Sequence, residues 1–232
     1  MSVLFECRDL AKSYGKVQAL KGINLQLESG RIVGLLGPNG SGKTTLIKLA
    51  NRLLQPSSGS IRIAGEEPGI FTKEKCAYLP DKDFLPDWMK TSDLLNFYGD
   101  FYGDFDRPRA QAMLANLDIP EKMSLKKMSK GTKEKVQLIL TMSRDAQVYL
   151  LDEPIAGVDP AARDYILRTI INNYREDALV IISTHLIADV ESVLDEAVFL
   201  KQGEIVLHQS TDELREQTGK SVDEYFREVF RC

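Results

Sequence analysis

Apolar and polar residues alternate with a period of two in several short stretches of this chain, and with a helical period in others. In "GINLQL" Ile23, Leu25 and Leu27 share one face, as a half-buried strand requires. "RIVGLLG" and "ALVIIST" are short continuous apolar runs, the pattern of strands covered on both faces. "IRIAG", "KCAYLPD" and "VYLLDEP" read as further strands, and "AVFLKQGEIVLHQ" as a strand pair turning at Gly203. Between them, "LIKLANRLL" places Leu46, Ile47, Leu49, Leu53 and Leu54 at helical spacing, and a helix is predicted from about Pro160 to Tyr174. The closing "TDELREQTGKSVDEYFREVFRC" reads as helix.

Strands alternating with helices predict an α/β domain built on a mostly parallel sheet. Residues from about 83 to 147 differ: "SDLLNFYGDFYG" and "RAQAMLANLDI" are helical patterns separated by Gly and Pro, rich in aromatics. The expectation is one domain over 1–232, with a core from 1–82 and 148–232 and an inserted helical subdomain between. The tandem "YGDFYGDF" (98–105) is too short for a repeat architecture, and its aromatics are expected in a helical core.

Composition narrows the class. The 232 residues are 43% hydrophobic and 28% charged, as in ordinary globular proteins. A formal net charge of -4 argues against nucleic acid as a partner. Cys7, Cys76 and Cys232 are odd in number and lack metal-type spacing, so reduced thiols in a cytosolic setting are expected. No apolar run approaches the roughly 20 residues that span a bilayer, so the chain is expected not to cross a membrane.

Three places carry chemistry. "GPNGSGKT", Gly37 to Thr44, lies between a strand and a helix, where backbone amides and the helix N-terminus cradle phosphate oxygens. Lys43 would reach the β and γ phosphates, and the Thr44 hydroxyl would ligate a bridging Mg²⁺. "VYLLDEP" ends an apolar run in two acids, which is costly unless both leave the core at the sheet's carboxyl edge. There Asp152 would face the metal, and Glu153 would orient or deprotonate an attacking water. "IISTHL" sets His185 past a strand at the same edge, within reach of a γ-phosphate or that water, whereas His208 is read as structural.

With these motifs in this order the chain resembles the ATP-binding cassette (ABC) transporter ATPases over essentially its whole length. Tyr14 in "KSYG" resembles the aromatic that stacks on adenine, and Gly37, Pro38, Asn39, Gly40, Ser41, Gly42, Lys43, Thr44 and Thr45 resemble the family's phosphate loop. "MSKGT" (128–132) falls where the family carries its "LSGGQ" signature, with Ser129 and Gly131 in register but Lys130 and Thr132 replacing a glycine and the glutamine. "LLDEP" matches the magnesium and catalytic acids, "AGVD" with Asp159 the loop that communicates between subunits, and His185 the switch histidine. Asp81 stands where the family has a glutamine, and can still bind water or metal.

The resemblance implies a P-loop NTPase core with an N-terminal antiparallel part and the inserted helical subdomain. It also implies ATP and Mg²⁺ as ligands, head-to-tail pairing with a second such subunit (homodimer or heterodimer), and membrane permease subunits docking on the helical subdomain. The setting implied is the cytoplasmic face of the cell membrane, and the function is driving transport, with export favoured. A soluble ATPase of translation or DNA repair is the alternative. "FLPDWMK", with Phe84, Leu85, Trp88 and Met89, is the expected docking segment. Ser129 is expected to cap a helix whose apolar face holds Val136, Ile139 and Leu140, with Lys133 and Lys135 solvated and Lys130 free to meet a partner's ATP.

Overall fold

The computed structural model describes residues 2–230; Cys232 lies outside them. Strands β1 (Val3–Tyr14), β2 (Val17–Glu28) and β4 (Ser58–Ile63) form an antiparallel sheet in the order β2-β1-β4. A second sheet runs β5-β6-β7-β3-β8-β9, where β3 is Arg31–Leu36, β5 Cys76–Leu79, β6 Val148–Asp152, β7 Leu179–Thr184, β8 Glu196–Lys201 and β9 Glu204–Ser210. Its first five strands are parallel, and β9 pairs antiparallel with β8 through the Gly203 turn. The fold class is therefore α/β with the antiparallel part expected.

Alternation along the central strands divides the interior in two. Ile32 and Leu36 of β3 and Val180 and Ile182 of β7 join one apolar cluster, with helices α6 (Pro160–Asn173), α7 (Ile187–Val190), α8 (Thr211–Thr218) and α9 (Val222–Val229). Val33 and Leu35 of β3 and Leu179 and Ile181 of β7 face the other way, against α1 (Lys43–Ala50) and the antiparallel sheet. Covering both faces explains why β3 and β7 read as unbroken apolar runs.

A third cluster gathers α3 (Thr91–Phe101), α4 (Arg107–Ala115) and the face of α5 (Lys130–Met142) bearing Val136, Ile139 and Leu140. Tyr98, Tyr102 and Phe105 belong to it, but Phe101 is exposed and packs at a tilt against Phe97, ring centroids 4.6 Å apart, so the tandem aromatics are only partly core. The inward stripe of α3 is narrow, built on Leu94, Leu95 and Tyr98, and Phe97 and Phe101 flank it at its exposed border. Two other expectations are corrected. Lys133 and Lys135 are half-buried rather than solvated: Lys133 pairs with Asp87, and Lys135 stands over the Tyr165 ring at 5.7 Å. The last segment is two helices, because Gly219 takes a left-handed conformation (φ 67°) that ends α8 and Ser221 with Glu224 forms a capping box that starts α9.

Arg144 ties the third cluster to the rest. It follows α5, and its guanidinium, 3% exposed, donates to both Asp104 carboxylate oxygens at 2.9 Å and covers the Tyr102 ring at 3.9 Å. It also donates to the carbonyls of Lys73 (3.2 Å), Glu74 (2.6 Å) and Cys76 (2.8 Å), closing the C-terminus of α2 (Ile70–Lys75). A buried fork with this many acceptors is destabilising when half of it is removed. Arg144→Met should lower unfolding stability by about 3–5 kcal/mol in urea denaturation, and Arg144→Lys should recover only part of that loss.

Candidate functional site

The sheet order decides what meets at its carboxyl edge. β3 lies between β7 and β8, and β6 lies on the other side of β7. The register sets Leu36 beside Thr184 and Asp152 beside Ser183, so the residues that follow each strand emerge side by side. Gly37 to Gly42 follow β3, Glu153 follows β6 and His185 follows β7.

The loop after β3 needs its glycines for space as well as conformation. A Cβ on Gly37 would stand 2.4 Å from the Leu200 carbonyl oxygen and 2.6 Å from Ser41 Oγ. Gly42 adopts φ 112° and would press a side chain into Ala19 O at 2.8 Å. The loop then feeds α1, whose first residue is Lys43. Lys43 is buried, and its Nζ donates to the carbonyls of Gly37 (2.7 Å) and Pro38 (3.3 Å) and stands 3.4 Å from Glu153 Oε1.

Asp152 has no exposed surface. Its Oδ1 accepts from Ser183 Oγ at 2.7 Å and Thr44 Oγ1 at 3.2 Å, whereas Oδ2 is buried without a hydrogen-bond partner. Burial pushes its carboxyl above the usual carboxylate range; the two hydroxyls oppose the shift, and the charges of Asp81 and Glu153 add to it. Glu153 is held in the left-handed region (φ 52°), a conformation that costs a non-glycine residue on the order of 1 kcal/mol or more. Its amide donates to Ser183 O at 2.8 Å, Thr184 Oγ1 donates to its Oε2 at 3.2 Å, and His185 Nδ1 lies 3.0 Å from Oε2.

A cavity of about 240 Å³ is lined by Asn39, Gly40, Ser41, Gly42, Lys43, Thr44 and Thr45 together with Ala19, Asp81 and Glu153. Thus most of the expected site converges: Gly37 and Pro38 hold Lys43, Asp152 stands behind Thr44, and His185 holds Glu153. Among the described residues no group of three or more His, Cys, Asp or Glu side chains could hold a metal alone. The unpartnered Oδ2 of Asp152 beside the Thr44 hydroxyl nonetheless suits a divalent cation shared with phosphate oxygens.

Other expected residues lie apart from that cavity. Tyr14 ends β1 in an exposed position, with Lys12 Nζ 5.4 Å from its ring centroid. Ser129 caps α5, accepting from Thr132 N at 3.1 Å and sharing a hydrogen bond with Thr132 Oγ1 at 2.8 Å; Gly131 follows in the first turn. Lys130 pairs with Glu134 at 3.6 Å and reaches the Gly157 loop. Lys130, Glu134, Asp81 and Glu153 all border a neighbouring cavity of about 230 Å³. Asp159 caps α6 through a bond from Ala162 N at 3.0 Å. Ser183 and Thr184 join the site without belonging to any of its sequence motifs, and two hydroxyl residues closing an otherwise apolar strand are the signal that marks them.

The ABC transporter family matches residues 20–156, more than half of the chain. The ABC transporter ATP-binding protein YtrB of Bacillus subtilis is 31% identical over 219 residues, covering 92% of this chain and 74% of YtrB. EcsA of the same organism, an ABC-type transporter ATP-binding protein, is 30% identical over 93% of this chain and 91% of its own length. The SkfA peptide export ATP-binding protein SkfE, also from Bacillus subtilis, is 28% identical over 98% of this chain and 96% of its own length. A solved structure of an ATP binding subunit of an ABC transporter superposes with a TM-score of 0.88 at 28% identity, covering 98% of this chain and all of that one. Sequence, fold and the convergence at the sheet edge agree: the chain belongs to the ABC transporter family, as an ATP-binding subunit.

Proposed function

We propose that this chain binds ATP in the loop between β3 and α1, hydrolyses it, and couples that cycle to a separate membrane permease on the cytoplasmic face of the cell membrane. The observation that carries the reading is the meeting of Lys43, Asp152, Glu153 and His185 at the ends of β3, β6 and β7. The loop amides and the N-terminus of α1 attract phosphate oxygens, and Lys43 supplies the cation. Thr44 and Asp152 would hold Mg²⁺, whose charge would offset that of the phosphates. Glu153 takes a proton from water as its oxygen attacks the γ-phosphorus and ADP leaves. Thr184 and His185 keep the carboxylate aimed. We place the adenine on Tyr14.

We take residues 83–147 to be a subdomain carrying the signature and the permease contact. A second subunit, the same or related, would pair head to tail, so that Ser129, Lys130 and Gly131 of one chain meet the ATP of the other. Two observations support this: Ser129 stands at the N-terminus of α5, where the helix dipole favours an anion, and Lys130 is 76% exposed beside it. The permease would lie against the groove of about 500 Å³ bordered by Leu53, Phe84, Tyr98 and Tyr102, with Trp88, 77% exposed, nearby in sequence. Asp81 borders both this groove and the loop cavity, which suits it to couple them. Export is favoured because SkfE is named for peptide export.

Glu153→Gln should reduce phosphate release by about 10²-fold or more while ATP binding, measured by equilibrium dialysis, is retained. In that background Lys130→Gly should weaken ATP-driven pairing several-fold by light scattering; unchanged pairing would leave Lys130 only its Glu134 contact. Trp88→Ala should lose a co-purifying permease without altering nucleotide affinity, and a drop in nucleotide affinity would count against docking.

A further inference from the structure

The loop cavity is poor in positive side chains. Its walls carry Lys43, Asp81 and Glu153 as charged groups, with Asp152 buried directly behind Thr44 and His185 against Glu153. Lys43 is already committed to Gly37 O, Pro38 O and Glu153. Asp81 differs from the other two acids. Asp152 is held by two hydroxyls and Glu153 by Thr184, Lys43 and His185, whereas Asp81 is exposed and makes no ion pair or hydrogen bond among the described residues. Its charge is nevertheless felt inside: it contributes to raising both the Asp152 carboxyl and the Tyr78 hydroxyl above their ordinary values.

The backbone amides of the loop draw any phosphate, with or without a cation. A carboxylate lining the same cavity repels an uncomplexed triphosphate and attracts a divalent cation bound to it, so its effect has opposite sign for the two forms of the ligand. From this placement we infer that Asp81 makes nucleotide uptake conditional on the metal, selecting the metal–triphosphate complex over the free triphosphate. The inference rests on the reading of the loop as the nucleotide site. It adds that the free carboxylate at 81 determines which charge state of nucleotide enters.

The test is equilibrium binding of a non-hydrolysable ATP analogue to the full chain in two media, one with excess EDTA and one with excess Mg²⁺. Asp81→Asn is nearly isosteric and removes no packing or hydrogen bond. It should tighten binding in EDTA and weaken it in Mg²⁺, shrinking the ratio of the two affinities on the order of tenfold at low salt, with a smaller change at high salt. Asp81→Glu, which keeps the charge, should retain most of the original ratio. An unchanged ratio in Asp81→Asn overturns the inference, as does an equal loss in both media. Lys43→Ala separates the two readings, because it should weaken binding in both media if the loop holds the phosphates. Should Lys43→Ala bind normally, the nucleotide site itself is misplaced. Should it bind weakly while Asp81→Asn keeps its ratio, the site stands and only the role of Asp81 falls.

Discussion

A carboxylate with no solvent and one unsatisfied oxygen is the constraint around which the carboxyl edge of the large sheet is arranged. Asp152 closes β6 inside the core, and an ionised group there is tolerated only where other polar groups reach it. Thr44 arrives from α1 and Ser183 from β7, so the same two hydrogen bonds that stabilise the charge also fix how the helix and the two strands end relative to one another. If β7 were not the neighbour of both β3 and β6, neither hydroxyl would be in place. The remaining oxygen is left with nothing to accept from, and a folding core left to itself would not choose that arrangement. Strain follows the same logic at the next residue, where Glu153 sits in a left-handed backbone held by the Ser183 carbonyl.

A second polar junction, at Arg144, does for the helical cluster what Asp152 does for the sheet edge. Its acceptors lie on the end of α2, on the segment after α3 and on the entry to β5, so one side chain joins segments distant in sequence. A lighter contact, Gln137 Nε2 to Asp83 Oδ1 at 2.7 Å, joins α5 to the 80–84 segment that also carries Asp81. The helical cluster is therefore anchored at one end by a multidentate buried cation. Midway along α5 it touches the segment after β5 through a single polar contact.

Legibility from sequence followed how locally each feature is determined. The phosphate loop was legible because its backbone can be built only with glycines at set spacings, and the two central strands because both faces are covered. The order of the strands was not, since parallel neighbours are chosen by crossovers and not by side-chain pattern. Orientation within the third cluster was half legible: the period of α3 marks an inward stripe, yet two aromatics of the same helix face outward. The surroundings of Lys133 and Lys135 are not legible locally, because their partners, Asp87 and Tyr165, are distant in sequence. The break at Gly219 carried its signals, a glycine followed by a serine and a glutamate three residues on, within a segment whose helical composition masked them.

The committed state of Lys43 has a bearing on how tightly such a subunit can hold anything. Its ammonium does not wait in solvent; it is already bonded to two carbonyls of its own loop and sits against Glu153. Arrival of a phosphate is then a ligand exchange, in which contacts made are offset by contacts surrendered and only the difference appears as affinity. An exchange of this kind lets the loop keep its shape through its own contacts and reduces the net gain from binding. For a part that must turn over, a shallow well serves better than a deep one.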